Sequence, residues 1–340
     1  MVSRVKFGVI GVDHGHIHGM IDGLLAAGAA CVGWCTGLET PPEVKGAFAT
    51  SYPEFPELSE AEILEDARVS LILSAAINSD RADIAIRAMR HGKDVLVDKP
   101  GCTTSEQLLL LKDAVRETGR RWIVCFSERL TVESTTVVDR LIGEGRIGQV
   151  IQTVGLGPHR RNAHRRPEWF WQRQRTGGIL NDICAHQYDQ FLHFTGSTEA
   201  RVVAAHISNV ANPERPDFMD FGEVLLEGNG GRGYARVDWL TPDGLPTWGD
   251  GRMTILGTEG YIEMRKYVDI AGQSGGDHVI LVDGKGIERF NASGAGTPFF
   301  AKFLHDLEQR TETAMRQDHA FLATELSLQA QHMAEGEKAR

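Results

Sequence analysis

Over its first 126 residues the chain switches repeatedly between strand-like apolar runs and helical spacing, and this alternation restricts the fold more than any single residue. Val5 to Val12 is a short β-rich run. Ile17, Met20, Ile21, Leu24 and Leu25 then recur at helical intervals, and Gly28 punctuates the end. Ala30 to Thr36 reads as a second strand, and Val69 to Ala76 as a continuous apolar run of the kind that a parallel sheet buries on both faces. Ser79 to Arg90 puts Ala82, Ala85, Ile86 and Met89 on one helical face, Gly92 supplies a cap, and Val95 to Val97 resumes as strand. Thr103 with Glu106 predicts a capping box for a helix running to about Thr118, and Trp122 to Phe126 predicts a further strand. Strands joined through helices pair in parallel by right-handed crossovers. The expected fold class is therefore α/β, with a doubly wound Rossmann sheet over residues 1–126.

The texture changes after Phe126. A helix carrying Val137, Val138, Leu141 and Ile142 leads through Gly145 and Gly148 to a strand, and Gly177 and Gly178 announce a helix to about Phe194. Strand-like segments then dominate: Val202 to Ile207, Gly222 to Leu226, Gly233 to Leu240, Arg252 to Leu256, Tyr261 to Met264 and Val279 to Val282. Short turns between consecutive strands predict antiparallel pairing. Residues 127–340 are thus expected to form an α+β domain on a largely antiparallel open sheet, for substrate binding and oligomerisation. Phe299 to Arg310 and His319 to Ala339 read as closing helices, the last packing back on the first domain.

Charge narrows the partners. With 36 basic and 46 acidic residues the net charge is −10, which argues against nucleic acid or an anionic membrane as the main partner. No run of about 18 apolar residues occurs, so neither a membrane span nor a signal peptide is read. Cys31, Cys35, Cys102, Cys125 and Cys184 are odd in number and form no C-x-x-C pair, as expected of reduced thiols in the cytoplasm.

Three segments carry chemistry. In Gly8-Val-Ile-Gly11-Val12-Asp13-His14-Gly15-His16-Ile-His18-Gly19 the first strand turns into the first helix, where a pyrophosphate can meet close backbone and a helix N-terminus. Asp13 and His16 stand where the G-x-G-x-x-G fingerprint has glycine. Thr36 takes the place of the acid that would hold ribose hydroxyls, Glu39 follows, and no basic residue lies between Thr36 and Val44 to favour a 2′-phosphate. The cofactor reading is accordingly NAD or NADP, leaning to NAD. In the second segment, Gly92-Lys-Asp-Val-Leu-Val-Asp98-Lys99-Pro100, a strand ends in a lysine able to polarise a hydroxyl or carbonyl oxygen. In the third, Gly177-Gly178-Ile-Leu-Asn181-Asp182-Ile-Cys-Ala-His186, helical spacing sets a carboxylate one turn from an imidazole, which suits a general base near neutral pH.

Together these segments resemble the Gfo/Idh/MocA oxidoreductases, a family named for glucose–fructose oxidoreductase and inositol dehydrogenase, over nearly the whole chain. The family's (E/D)-K-P falls on Asp98-Lys99-Pro100, and its G-G-x-x-x-D-x-x-x-H falls on Gly177 to His186. Gly145 to Val150 and Leu256 to Gly260 are secondary matches. The family's T-P-N-x-x-H appears as Ala76-Ile77-Asn78-Ser79-Asp80-Arg81, which keeps only the asparagine. The resemblance implies an NAD(P)-dependent dehydrogenase or reductase acting on a secondary hydroxyl or ketone of a sugar, polyol or similar small polar substrate. It implies Lys99, Asp182 and His186 as catalytic, and Gly11, Val12, Asp13, His14, Gly15, Thr36, Ala75, Ala76, Asn78, Asp98 and Lys99 as cofactor contacts. It also implies a homodimer or homotetramer assembled through the C-terminal sheet, and no metal.

His159, Arg160, Arg161 and Trp169, with Trp171 and His164 to Arg166, are expected to line the substrate pocket beside Asp182 and His186. Cationic groups suit an acidic substrate, and indole rings suit sugar faces. Two alternatives stand beside the dehydrogenase: a non-catalytic nucleotide-binding or sensing protein on the same scaffold, and a metal-dependent hydrolase built on His14-x-His16-x-His18.

Overall fold

The computed structural model describes residues 5–37 and 39–336. It divides into two compact units, Met1–Phe126 with Pro298–Phe321, and Ser127–Thr297 with Leu322–Arg340.

In the first unit the order is β1 (Lys6–Ile10), α1 (His16–Ala26), β2 (Ala30–Cys35), α2 (Pro42–Ser51), α3 (Glu60–Glu65), β3 (Leu71–Ser74), α4 (Arg81–Arg90), β4 (Asp94–Asp98), α5 (Ser105–Thr118) and β5 (Trp122–Cys125). The sheet runs β2-β1-β3-β4-β5, all parallel. Every residue of β3, β4 and β5 is buried, as near-continuous apolar strands covered on both faces require. Each large aliphatic side chain so buried contributes roughly 1.5–3 kcal/mol. The chain leaves β1 toward β2 and later returns on its other side at β3, so the strand order reverses there. In open α/β sheets that reversal marks the ligand crevice.

Two helices and one cap differ from expectation. Neither α2 nor α3 was evident in the pattern: α2 buries only Phe48, which packs on Trp34 and Tyr52. The α3 helix starts from a Ser59–Glu62 capping box. Thr104, not Thr103, caps α5, its hydroxyl accepting from the Gln107 N–H at 3.2 Å.

The second unit holds α6 (Ser127–Leu130), α7 (Glu133–Gly143), β6 (Val150–Pro158), α8 (Arg173–Thr176), α9 (Ile179–Asp182), α10 (Ala185–Thr195), β7 (Ala200–Ser208), β8 (Phe221–Gly228), β9 (Gly231–Asp238), β10 (Arg252–Gly257), β11 (Gly260–Arg265), β12 (His278–Asp283) and β13 (Gly286–Asn291). Its eight strands run β13-β12-β11-β10-β6-β9-β8-β7. All neighbours pair antiparallel except β6 and β9, which are parallel: after β6 the chain leaves the sheet for α8, α9 and α10, returns at the far edge as β7, and reaches β9 through β8. One face is covered by α7, whose Val138 and Leu141 join Met253, Ile255, Ile262, Met264, Val279 and Leu281 in a core.

Two closing helices follow, α11 (Phe299–Gln309) and α12 (Gln317–Ala334). The chain returns to the first unit through α11, where Phe300 lies against Gly23 of α1. The end of the helix expected to run to Ala339 falls partly outside the described residues. No described helix is long and apolar enough to cross a membrane.

Candidate active site

In the first unit the strand ends at the reversal are stitched tightly together. The Gly11 N–H donates to Cys35 O at 2.9 Å, Ala75 N–H to Gly11 O at 3.1 Å, and His14 N–H to Ala75 O at 2.9 Å. Gly11 has φ +82°, and a Cβ placed there would lie 2.4 Å from the Ala76 Cβ. Only glycine fits. Gly15 meets no such crowding and simply precedes α1, which begins without a side-chain cap. Substituting Gly11→Ala is expected to cost about 1–3 kcal/mol for the forced backbone conformation. It should also weaken dinucleotide binding, and native values for both thermal unfolding and dinucleotide titration would refute the role.

At the end of β4 the fully buried Asp98 gathers four groups. Its Oδ2 lies 2.9 Å from His14 Nδ1 and 3.3 Å from Arg81 Nη2, and its Oδ1 lies 2.9 Å from His16 Nδ1 and accepts the Lys99 N–H at 2.8 Å. Burial opposes ionisation, but His16, Arg81 and His14 hold the carboxyl well below its ordinary range. His14 keeps 26% of its side chain exposed, yet burial and the neighbouring His16 push its imidazole down to about 4 against the pull of Asp98.

Arg81 is completely buried. Its guanidinium donates to Ala76 O at 2.8 Å, to Asp98 O and Pro100 O at 3.1 Å, and to Lys99 O. One side chain thereby holds three successive carbonyls of the Asp98-Lys99-Pro100 turn, in which the Lys99–Pro100 peptide is cis. Asn78, also buried, opens a single helical turn just before Arg81, and Thr36 is half-buried after β2. Val12 is buried, while the Asp13 carboxylate is directed toward Gly37 and Thr40. Burial raises the Asp13 carboxyl above its usual range, although Thr40 and Arg81 oppose it.

The H-x-H-x-H reading needs correction. His14 and His16 turn to Asp98, their ligand atoms within 4.8 Å of one another. His18 does not join them; it stacks on Tyr52 at 5.5 Å. Arg81 on the same carboxylate already supplies the positive charge that a metal ion would bring.

In the second unit the helix expected from Gly178 to Phe194 is broken. Gly178, at φ +85°, precedes α9; Ile183 and Cys184 form a turn, and α10 starts at Ala185. Across the break the Cys184 N–H reaches back to Ile179 O, and the His186 N–H to Ile183 O at 3.4 Å, so the regular i to i−4 pattern is interrupted. Asp182 therefore ends one helix and His186 lies in the first turn of the next. His186 is fully buried and Asp182 half-buried. Asp182 lines a depression with Trp171, Asp217 and Trp239, and Arg166 stacks over Phe170 and Trp239 at 4.4 and 4.9 Å. Burial lowers the Arg166 guanidinium from its ordinary range, and Asp182 counteracts this.

The basic loop divides among several surroundings. His159 packs beside Trp248 and Trp239 at 4.5 and 5.5 Å, and Arg160 donates to Pro242 O at 3.0 Å and to Leu245 O. The Arg161 carbonyl accepts from Arg166 Nε at 2.7 Å, Trp169 is half-buried, and His164 and Arg165 are exposed.

A charged cluster absent from the expectations lies against α10. Lys266 Nζ donates to Glu128 Oε2 at 3.0 Å and to Gln190 Oε1 at 2.6 Å, while Gln187 Nε2 donates to Glu128 Oε2 at 3.2 Å. Both Glu128 and Lys266 are 2% exposed. Next to them Arg129 grips the fully buried Asp189 with two 2.6 Å bonds.

Comparison with known proteins places this geometry. Residues 26–126 match the oxidoreductase family with an NAD-binding Rossmann fold, and residues 136–263 match the GFO/IDH/MocA C-terminal domain. The chain belongs to the Gfo/Idh/MocA family. A putative oxidoreductase from Erwinia carotovora atroseptica SCRI1043 is 47% identical, with TM-score 0.93 over 97% of this chain and 98% of that one. The scyllo-inositol 2-dehydrogenase (NAD(+)) of Bacillus subtilis (strain 168) is 27% identical over 66% of this chain and 61% of its own length. Levoglucosan dehydrogenase in complex with NADH and levoglucosan shares the fold at 18% identity, with TM-score 0.81 over 98% of both chains. The chain thus spans less than two thirds of the scyllo-inositol dehydrogenase it matches. Within the Gfo/Idh/MocA frame, Arg81 stands at the histidine of the family's T-P-N-x-x-H, and its buried guanidinium explains why that departure is tolerated: it holds the lysine turn.

Proposed function

We propose that this Gfo/Idh/MocA protein is an NAD(P)-dependent oxidoreductase of the cytoplasm that interconverts a secondary hydroxyl and a ketone on a sugar, polyol or related small polar molecule. The observation that carries the reading is the Lys99 turn, buried at the end of β4 and held at three carbonyls by Arg81. Gly11, Val12, Asp13, His14 and Gly15, with Thr36, Ala75, Ala76, Asn78 and Asp98, would hold the dinucleotide. The Gly11 cradle and the start of α1 without a side-chain cap fit such a group. When bound, its nicotinamide accepts or donates the hydride.

The chain's own residues do the rest. Lys99 hydrogen-bonds the substrate oxygen that gains carbonyl character, His186 takes the hydroxyl proton, and Asp182 stabilises the resulting imidazolium. Trp171, Trp169 and His159 offer ring faces for an apolar side of the substrate, and Arg160 and Arg161 border the same loop. No disulfide joins any of the five cysteines among the described residues, which is compatible with a reducing compartment. Exposed Leu225, Leu256 and Tyr261 on the uncovered side of the large sheet form the surface through which copies of the chain pair.

The test is calorimetric titration with NAD, NADH, NADP and NADPH, followed by activity assays with scyllo-inositol, levoglucosan and D-xylose. Binding of at least one dinucleotide is expected, with NAD(H) favoured. Silence with all four would overturn the reading.

A further inference from the structure

Resting on the dehydrogenase reading of His186, we propose that the buried Glu128 carboxylate is the positioning residue that makes this imidazole a base, with the Lys266 ammonium as its counterweight. The geometry is specific. Glu128 sits on α6 against the first turn of α10, joined to Gln187, the residue following His186, at 3.2 Å. Lys266 reaches the same carboxylate and also Gln190, whose amide donates to the His186 carbonyl at 2.8 Å. The pair is thus tied to the turn that carries the imidazole through the Gln187 side chain and, by way of Gln190, the His186 carbonyl.

A buried ion pair is a costly way to support a helix, because an apolar pair of the same volume does so without the desolvation of two charges. Its placement beside a histidine gives it a chemical use. A carboxylate favours the protonated imidazole, which is the product of proton abstraction, and an ammonium disfavours it. Lys266 meets only Oε2. Oε1 is buried with no hydrogen-bond partner among the described residues; His159 Nε2 lies 3.9 Å away, beyond bonding distance. One carboxylate oxygen therefore takes both hydrogen bonds of the cluster, and the other is left without one.

Glu128 acts together with the other ionisable groups around His186, Asp182 included. Arg129 and Asp189 close on each other. Cys184 and Tyr188 are buried and Tyr267 is half-buried, and desolvation pushes each toward its neutral form: Cys184 up to about 12, and the two tyrosines well above their ordinary range. His159 has its Nδ1 3.1 Å from Gly157 O. Asp182 lies at the end of α9, on the near side of the break. Burial works to raise Glu128, but Lys266, His186 and His159 hold it down to about 2, so it stays ionised throughout the working range. The attraction between Glu128 and His186 is mutual: what lowers the acid favours the imidazolium.

The experiment is a histidine-selective NMR titration of the whole chain between pH 5 and 9.5, with the His186 ring signal assigned by its loss in His186→Asn. In Glu128→Gln the midpoint is expected to fall by about one pH unit, as for removal of a nearby opposite charge. In Lys266→Met it should rise. Should Lys266→Met fail to fold with Glu128 left uncompensated, the double variant Glu128→Gln/Lys266→Met takes its place, with a midpoint between native and Glu128→Gln. The acid limb of the sugar- or polyol-oxidation profile, where the base loses its proton, should move in the same direction as each midpoint. An unmoved midpoint in folded Glu128→Gln, or a ring that does not titrate in any form, overturns the proposal. Because the titration is read without substrate or dinucleotide, it is independent of the reaction assignment; native turnover in a His186→Asn enzyme would sink that assignment while leaving the electrostatic result standing.

Discussion

Replacing His186 by alanine is expected to lower kcat for oxidation of the sugar or polyol by about 100- to 10,000-fold, the range removed with a positioned general base. Dinucleotide affinity should hardly change, since the proposed contacts to that ligand come from the first unit. The imidazole is fully buried, so part of any loss could arise from a cavity; His186→Gln keeps most of the volume and serves as the control. Both variants should lose turnover alike while differing in thermal stability. A glutamine enzyme with native kcat would remove His186 from proton transfer.

The second large effect concerns stability. Arg81→Ala is expected to destabilise the protein by about 3–5 kcal/mol, because removing one member of a buried ion pair leaves the other charge uncompensated. The substitution takes from Asp98 its guanidinium partner and from Ala76, Asp98, Lys99 and Pro100 a carbonyl-bound donor. Arg81→Lys should recover little, since a single ammonium cannot span acceptors that a planar five-donor fork reaches together. Urea unfolding measures both variants. Loss of less than about 1 kcal/mol in Arg81→Ala would mean that the turn is held by other means. Under conditions where the folded form persists, turnover should still drop, because the Lys99 backbone is no longer tied.

The parallel sheet was legible because Leu71 to Leu73 of β3 and Val95 to Val97 of β4 are consecutive apolar residues, a pattern that burial on both faces imposes. The helices α2 and α3 were not: α2 buries one side chain, too few to set up a period, although Ser59-Glu60-Ala61-Glu62 carries the capping signature in plain view. Spacing suggested that Asp182 and His186 occupy one continuous helix. The turn at Ile183 and Cys184 arises from backbone bonding that a count of residues does not register. Lys99 could be found from its motif, but Arg81 could not be recognised as its support, since the acceptors are backbone carbonyls that only chain geometry brings together. Glu128 and Lys266 stand 138 positions apart in the chain, and no local pattern links them. A lone acid after a strand and a lone lysine after another are ordinary surface residues until the fold buries both.

The discontinuity of the first unit has a consequence in time. Its α11 segment, which brings Phe300 to α1, is synthesised about 170 residues after β5. At translation rates of about 5–20 residues per second, a nascent sheet would wait roughly 10–30 s with that surface bare. Such an interval is long enough for a chaperone to bind, and it predicts that a ribosome stalled near residue 130 would display a sticky, incomplete domain.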